Sequence, residues 1–121
     1  MFKYTIDDIN VCHCGDLGHK LSPKQLEQIG RVDILLLPVG GLATINALTA
    51  VEVMEQLKPV ITIPMHYRTK ALGLKGYLFS PVEKFLSLSL STTTAMTIKD
   101  LTLTKEDLET YRGIVVLDYM A

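Results

Sequence analysis

The run Val32-Asp33-Ile34-Leu35-Leu36-Leu37-Pro38 narrows the possible folds more than any other stretch of this chain. Apart from Asp33 it is unbroken apolar sequence, which implies a strand covered on both faces, the habit of parallel sheets in α/β proteins. Helices of the chain can cover one of those faces. A small domain has few elements left for the other, so an unmet apolar sheet face is expected.

The flanking sequence supplies the rest of an α/β unit. Phe2 to Ile6 and Ile9 to Cys14 are short runs of β-branched and aromatic residues joined at Asp7-Asp8, which reads as an antiparallel hairpin. Ser22-Pro23-Lys24-Gln25 then opens a helix. Ser22 caps it, Pro23 suits the first turn, Gln25 returns a bond to the cap, and Gly30 ends it. A second helix runs from Ala47 to Leu57, capped by Asn46 or Thr44, with Ala47, Leu48, Val51 and Met54 as its apolar face and Pro59 as its stop. Val60 to Pro64 follows as a strand leading to His66. The order strand, helix, strand, helix, strand predicts parallel pairing through right-handed crossovers.

Beyond His66, Arg68 to Tyr77 reads as a loop. Pro81 to Leu86 opens a helix capped by Ser80, and Ser87-Leu88-Ser89-Leu90-Ser91 alternates with period two and can fray into an edge strand. Met96 to Leu103 and Gly113 to Asp118 supply two more strands around a helical turn at Lys105 to Thr110. No internal repeat or interdomain linker is visible, so residues 1–121 read as one domain.

Chemistry concentrates in Cys12-His13-Cys14-Gly15-Asp16-Leu17-Gly18-His19. Asp16 sits between two glycines just past a strand, which lets the backbone bend and leaves the carboxylate unobstructed. His66 likewise follows a strand. Side chains at strand ends make good metal ligands because the sheet fixes their direction while the loop beyond stays open.

These stretches, with Leu36-Leu37-Pro38-Val39-Gly40-Gly41 and Ile63-Pro64-Met65-His66-Tyr67, resemble the C-terminal half of the metallo-β-lactamase-fold hydrolases, in the branch of the ascorbate-phosphate lactonases. The resemblance covers nearly the whole chain. It implies an α/β half of an αββα sandwich, a mixed sheet with helices on one face. It also implies that Asp16 bridges two metal ions and His66 binds the second, with zinc, manganese or iron as the divalent ion. The family's His-x-His-x-Asp-His run occurs nowhere in this chain. With three histidines in all, the chain can complete at most one ordinary site, since each metal takes about four ligands.

Around this pair, His13 reads as an imidazole that orients the Asp16 loop by a hydrogen bond, and His19 as a rim residue meeting substrate or metal. Thr44 and Tyr67 are weaker candidates for substrate contact. Arg68, Lys70 and Lys75 form either a solvated basic loop or an attraction for an anionic small-molecule substrate. Cys12 and Cys14 point the same way on one strand, too far apart for an unstrained disulfide; the alternatives are buried thiols or soft ligands around His13. Gly40-Gly41 before a helix invites an anion-binding reading, but no Gly-x-Gly-x-x-Gly, P-loop or Gly-x-Ser-x-Gly elbow accompanies it.

Net charge is -1 with pI near 6.3, without the basic excess that a nucleic-acid partner requires. No stretch has the length and apolarity of a membrane span or signal peptide, so a cytoplasmic protein is expected. Hydrophobic residues make up 48% and mean hydropathy is +0.27, which fits a chain that hides a face against a partner. Two readings follow: a metal-dependent hydrolase half whose remaining ligands lie on an N-terminal half, or a catalytically silent half-fold that self-associates as a homodimer through its sheet face. A small anion-binding domain using Gly40-Gly41 and Arg68 is the third.

Overall fold

Asp7 and Asp8 adopt φ of 50° and 64°, the paired left-handed conformation of a type I′ turn, whose twist matches that of the strands it joins. The turn closes the hairpin of β1 (Phe2–Ile6) and β2 (Ile9–His13), with Phe2 opposite His13 and Ile6 opposite Ile9. The computed structural model describes residues 2–15, 19–39, 46–65, 82–89, 94–98 and 101–117.

Helix α1 (Pro23–Ile29) is held at its start by the expected capping box: the Gln25 N–H donates to Ser22 Oγ and the Ser22 N–H donates to Gln25 Oε1. It ends at Gly30, where φ is 67°, and Lys3 Nζ donates to the Ile29 carbonyl. Helix α2 (Ala47–Leu57) is capped by Asn46, whose Oδ1 accepts from the Thr49 N–H at 2.9 Å; Thr44 lies outside the described residues. Lys58 terminates α2 in the left-handed region at φ 48°, one residue before Pro59, which cannot continue the helical ladder.

Among the described residues six strands form one mixed sheet in the order β1-β2-β3-β4-β6-β5, with β3 at Ile34–Pro38, β4 at Ile61–Met65, β5 at Ala95–Ile98 and β6 at Gly113–Leu117. Every pairing except the β1/β2 hairpin is parallel. Asp33 fixes the register of the hairpin against β3. Its N–H donates to the Asn10 carbonyl and its Oδ2 accepts from the Asn10 N–H, both at 2.8 Å.

Among the described residues, three helices share one face of the sheet. Ile29 of α1, Ala50, Val53 and Leu57 of α2, and Phe85 of α3 (Val82–Ser89) pack on Cys12, Leu35, Leu37, Ile114 and Val116. Phe85 and Leu35 are fully buried, and removing either side chain would open a cavity costing about 2–5 kcal/mol.

The opposite face is partly covered, which corrects the expectation of an unmet face. Leu108, in a 3-10 turn at Lys105–Tyr111, packs on Ile9, Ile61, Ile63 and Val115, with Leu101, Leu103 and Tyr111 around it. An apolar groove of about 430 Å³ remains, bordered by Ile9, Val11, Ile34, Leu36 and Leu117.

Three local expectations are revised. Leu48 is 57% exposed, because Ala50, Val53 and Leu57 turn the neighbouring stripe of α2 toward the sheet. Ser87 to Ser89 remain helical, since buried Phe85 anchors α3 and Ser89 Oγ bonds the Phe85 carbonyl at 2.8 Å; Leu90 and Ser91 lie outside the described residues. Strand β5 ends at Ile98, and Leu101 and Leu103 turn onto the second face instead of extending the edge.

Candidate functional site

Parallel pairing brings the C-terminal ends of β2, β3 and β4 to one edge of the sheet. His13 is in register with Leu36, and Leu36 with Ile63. The ladder continues past the strands: the Cys14 N–H donates to the Leu36 carbonyl at 3.0 Å and the Val39 N–H to that of Met65 at 2.9 Å. Gly15 and Met65 thus end at the same rim on strands separated only by β3, about 10 Å apart by normal strand spacing.

Two prolines shape this rim. Pro38 ends β3 opposite Met65, and Pro64 sits in β4 beyond the last residue paired with β6, since that ladder holds only Ile61–Gly113 and Thr62–Ile114. A proline cannot donate to a ladder, so the sheet is released on this side where the loops begin. Gly15 turns away at φ 57°, a conformation glycine adopts without strain.

Of the candidate residues, Asp16, Thr44, His66, Tyr67 and Arg68 lie outside the described residues. In sequence, Asp16 directly follows Gly15 and His66 directly follows Met65. His13 is half-buried, on the face opposite Cys12 and Cys14 by strand alternation. Its Nδ1 accepts from the Gly15 N–H at 3.0 Å. That bond leaves Nδ1 unprotonated and the neutral ring's proton on Nε2, so a metal at Nε2 would require the bond to break. His13 therefore acts on the backbone entering the Asp16 loop. His19 is exposed and has the opposite tautomer: its Nδ1–H donates to the Lys20 carbonyl at 2.6 Å, which leaves Nε2 with a free lone pair. A carbonyl-bonded imidazole of this kind is also how metal-ligating histidines are commonly oriented.

The thiols do not join this group. Cys12 and Cys14 are free and buried in the helix-side core. The hydrogen bond between them lowers the pKa of Cys12, while that bond and burial push Cys14 well above the ordinary thiol range. Both thiols lie in the helix-side core, and strand alternation sends His13 to the other face, so the Cys-His-Cys stretch does not converge on one metal. Among the described residues no three His, Cys, Asp or Glu side chains converge to hold a metal, and no helix is long and apolar enough to cross a membrane.

Comparison with known proteins agrees with the fold. The profile of the family described as Beta-lactamase superfamily domain matches residues 1–66. A UPF0173 protein of Pyrococcus abyssi is 44% identical over 68 residues, covering 56% of this chain and 31% of the relative. A UPF0173 metal-dependent hydrolase of Archaeoglobus fulgidus is 37% identical over 68 residues, 56% of this chain and 29% of the relative. One of Staphylothermus marinus is 34% identical over 90 residues, 71% of this chain and 36% of the relative. A crystal structure from Thermotoga maritima, assigned as a Zn-dependent hydrolase of the metallo-beta-lactamase superfamily, superimposes with a TM-score of 0.81 at 40% identity. It covers 95% of this chain, whereas the chain covers 56% of it. The chain thus spans about a third of the length of these sequence relatives and just over half of the solved one.

Proposed function

This chain belongs to the Beta-lactamase superfamily domain family, and from that premise we propose that it is one half of a metal-dependent hydrolase, contributing Asp16 and His66 to a metal centre at the rim of β2 and β4. The observation that carries this reading is the shared edge of Gly15 and Met65, reached through the parallel registers of β2, β3 and β4. A carboxylate and an imidazole leaving that edge suit a zinc, manganese or iron ion, zinc being the preferred assignment. When bound, such an ion lowers the pKa of its water so that hydroxide forms near neutral pH.

With three histidines in all and no His-x-His-x-Asp-His run in its sequence, this chain by itself would not supply the roughly four ligands that each metal of a two-metal site takes. The remaining ligands belong to a complementary N-terminal half. Within this chain His13 steadies the backbone at Gly15, and His19 offers a free Nε2 beside the same loop. The finer reading follows the motif resemblance: an ester, lactone or phosphoester substrate, as in the ascorbate-phosphate lactonase branch. Arg68 would attract a small anionic substrate, and Thr44 and Tyr67 would contact it. A cytoplasmic location is part of this proposal. Hydrolysis of lactone, phosphodiester and β-lactam panels, with zinc or manganese and the complementary half of a relative added, tests this function. Turnover that disappears in Asp16→Ala and His66→Ala is expected; equal turnover in those variants refutes the assignment.

A second reading is favoured by the apolar groove on the face opposite α1, α2 and α3. Half-buried Val11, Ile34, Leu36 and Leu117 on that face suit sheet-to-sheet packing, so a silent half-fold would bury them by self-association as a homodimer.

A further inference from the structure

We propose that the chain carries a second binding site, at the sheet edge opposite the metal rim, for a small zwitterion with an apolar body, the class of an aliphatic amino acid. The site goes beyond the hydrolase reading and does not depend on it. A cavity of about 470 Å³ opens between the end of α2 and the starts of β4 and β6, walled by Met54, Pro59, Val60 and Gly113. This volume is within the usual range for small-molecule sites, about 300–1,000 Å³.

The observation that marks the cavity as more than a gap is Thr62. The residue lines the cavity and is 2% exposed. It stands in register between buried Leu35 and Ile114 on the helix side of the sheet. Its hydroxyl has no hydrogen-bond partner among the described residues. A buried hydroxyl without a partner is destabilising, and the flanking residues Ile61 and Ile63 show that β4 otherwise takes β-branched apolar side chains. A valine would fill the same space at no such cost. The hydroxyl is therefore suited to a ligand that enters the cavity.

The mouth defines the charge of that ligand. Glu55 and Lys58 both line it, both are exposed, and neither has an ion-pair partner among the described residues. Arg112 adds a second cation, although its Nε and Nη2 are committed to Glu109 at 2.7 and 2.5 Å. On the other side, the C-terminal end of α2 presents the negative pole of the helix and favours a cation beside Glu55. A ligand with a carboxylate toward Lys58 and Arg112, an ammonium toward Glu55 and the helix end, and an aliphatic body against Met54 and Val60 satisfies all of these groups. Thr62 lies three residues from Met65 along β4, about 10 Å from the rim, so the two sites are separate.

Titration of the full chain with leucine, followed by amide chemical shifts, tests the site. The expected result is saturable shifts confined to residues 54–62 and 112–114, with a Kd on the order of 1 mM or tighter. 4-Methylpentanoate, which lacks the ammonium, and isoamylamine, which lacks the carboxylate, should each bind about tenfold more weakly. Thr62→Val should weaken leucine about tenfold, the equivalent of one hydrogen bond, while leaving the melting temperature of the ligand-free protein unchanged or raised. Glu55→Gln, an exposed change that leaves the core intact, should weaken leucine similarly. Absence of saturable shifts at these positions overturns the proposal, as does equal binding of either single-charge analogue. A Thr62→Val protein that melts several degrees lower also overturns it, because the hydroxyl would then already be bonded within the fold.

Discussion

Replacing Asp33 with alanine tests how the hairpin is set against the parallel sheet. The carboxylate is buried, with its side chain 2% exposed. Its Oδ2 accepts the Asn10 N–H at 2.8 Å, and its Oδ1 accepts the Arg31 Nε–H at 3.2 Å. Arg31 is 74% exposed, so that ion pair is screened and contributes at most about 1 kcal/mol. The bond to the Asn10 backbone is charge-assisted and contributes about 1.5–3 kcal/mol, and its loss leaves a half-buried N–H without a partner. The expected cost of Asp33→Ala is therefore about 3 kcal/mol. For a domain of this size that lowers the melting temperature by about 10 °C. Asp33→Asn keeps an oxygen for the Asn10 N–H and should lose about a third as much. Thermal unfolding followed by far-UV circular dichroism, with the Asn10 amide shift as a local probe, measures both. A fall of less than about 3 °C for the alanine variant, or equal losses for the two, would refute the assignment of register control to this carboxylate.

Other regions give separate tests. Gly113 has φ of 115°, and a Cβ there would lie 2.5 Å from the Thr94 carbonyl oxygen; Gly113→Ala should destabilise by at least about 2 kcal/mol in denaturant titration. Cys14 is held protonated in the fold by its bond to Cys12 and by burial, against an ordinary value of 9.0. As pH rises through that value the unfolded chain loses the proton while the folded chain keeps it, so stability falls. Unfolding titrations above about pH 9 should show this decline, and Cys14→Ala should flatten it. If the apolar groove mediates self-association, sedimentation at micromolar concentration gives a dimer that Leu36→Glu dissociates; a strict monomer in the unsubstituted protein contradicts that reading.

What the sequence reveals is what short-range chemistry decides. Ser22, Gln25 and Asn46 carry their helix starts in a few consecutive residues, and the α1 box and the Asn46 cap form from those groups alone. The Asp7-Asp8 turn and the parallel α/β order are legible for the same reason. Leu48 is not, because the rotation of α2 is set by which stripe meets the sheet. The alternation at Ser87 to Ser89 misleads because it is overridden by Phe85, whose burial depends on distant Ile114 and Val116. The direction of the hairpin relative to β3 depends on a tertiary bond between Asn10 and Asp33, and that direction decides whether Gly15 shares an edge with Met65. Of the proposed site, the sequence offers Asp16 and His66 as candidate ligands, but not the tautomers of His13 and His19, which backbone groups select. Thr62 carries no sequence signal beyond a hydroxyl inside an apolar strand.

Titration with Zn²⁺ of the chain mixed with the complementary half of a relative, read out by the amide shifts of Gly15 and Met65, tests the proposed metal site at the rim most directly. Shifts are predicted at both positions, retained in Cys12→Ala and lost in Asp16→Ala and in His66→Ala. Shifts confined to Cys12, His13 and Cys14, or unchanged binding in the Asp16→Ala and His66→Ala proteins, would contradict the account.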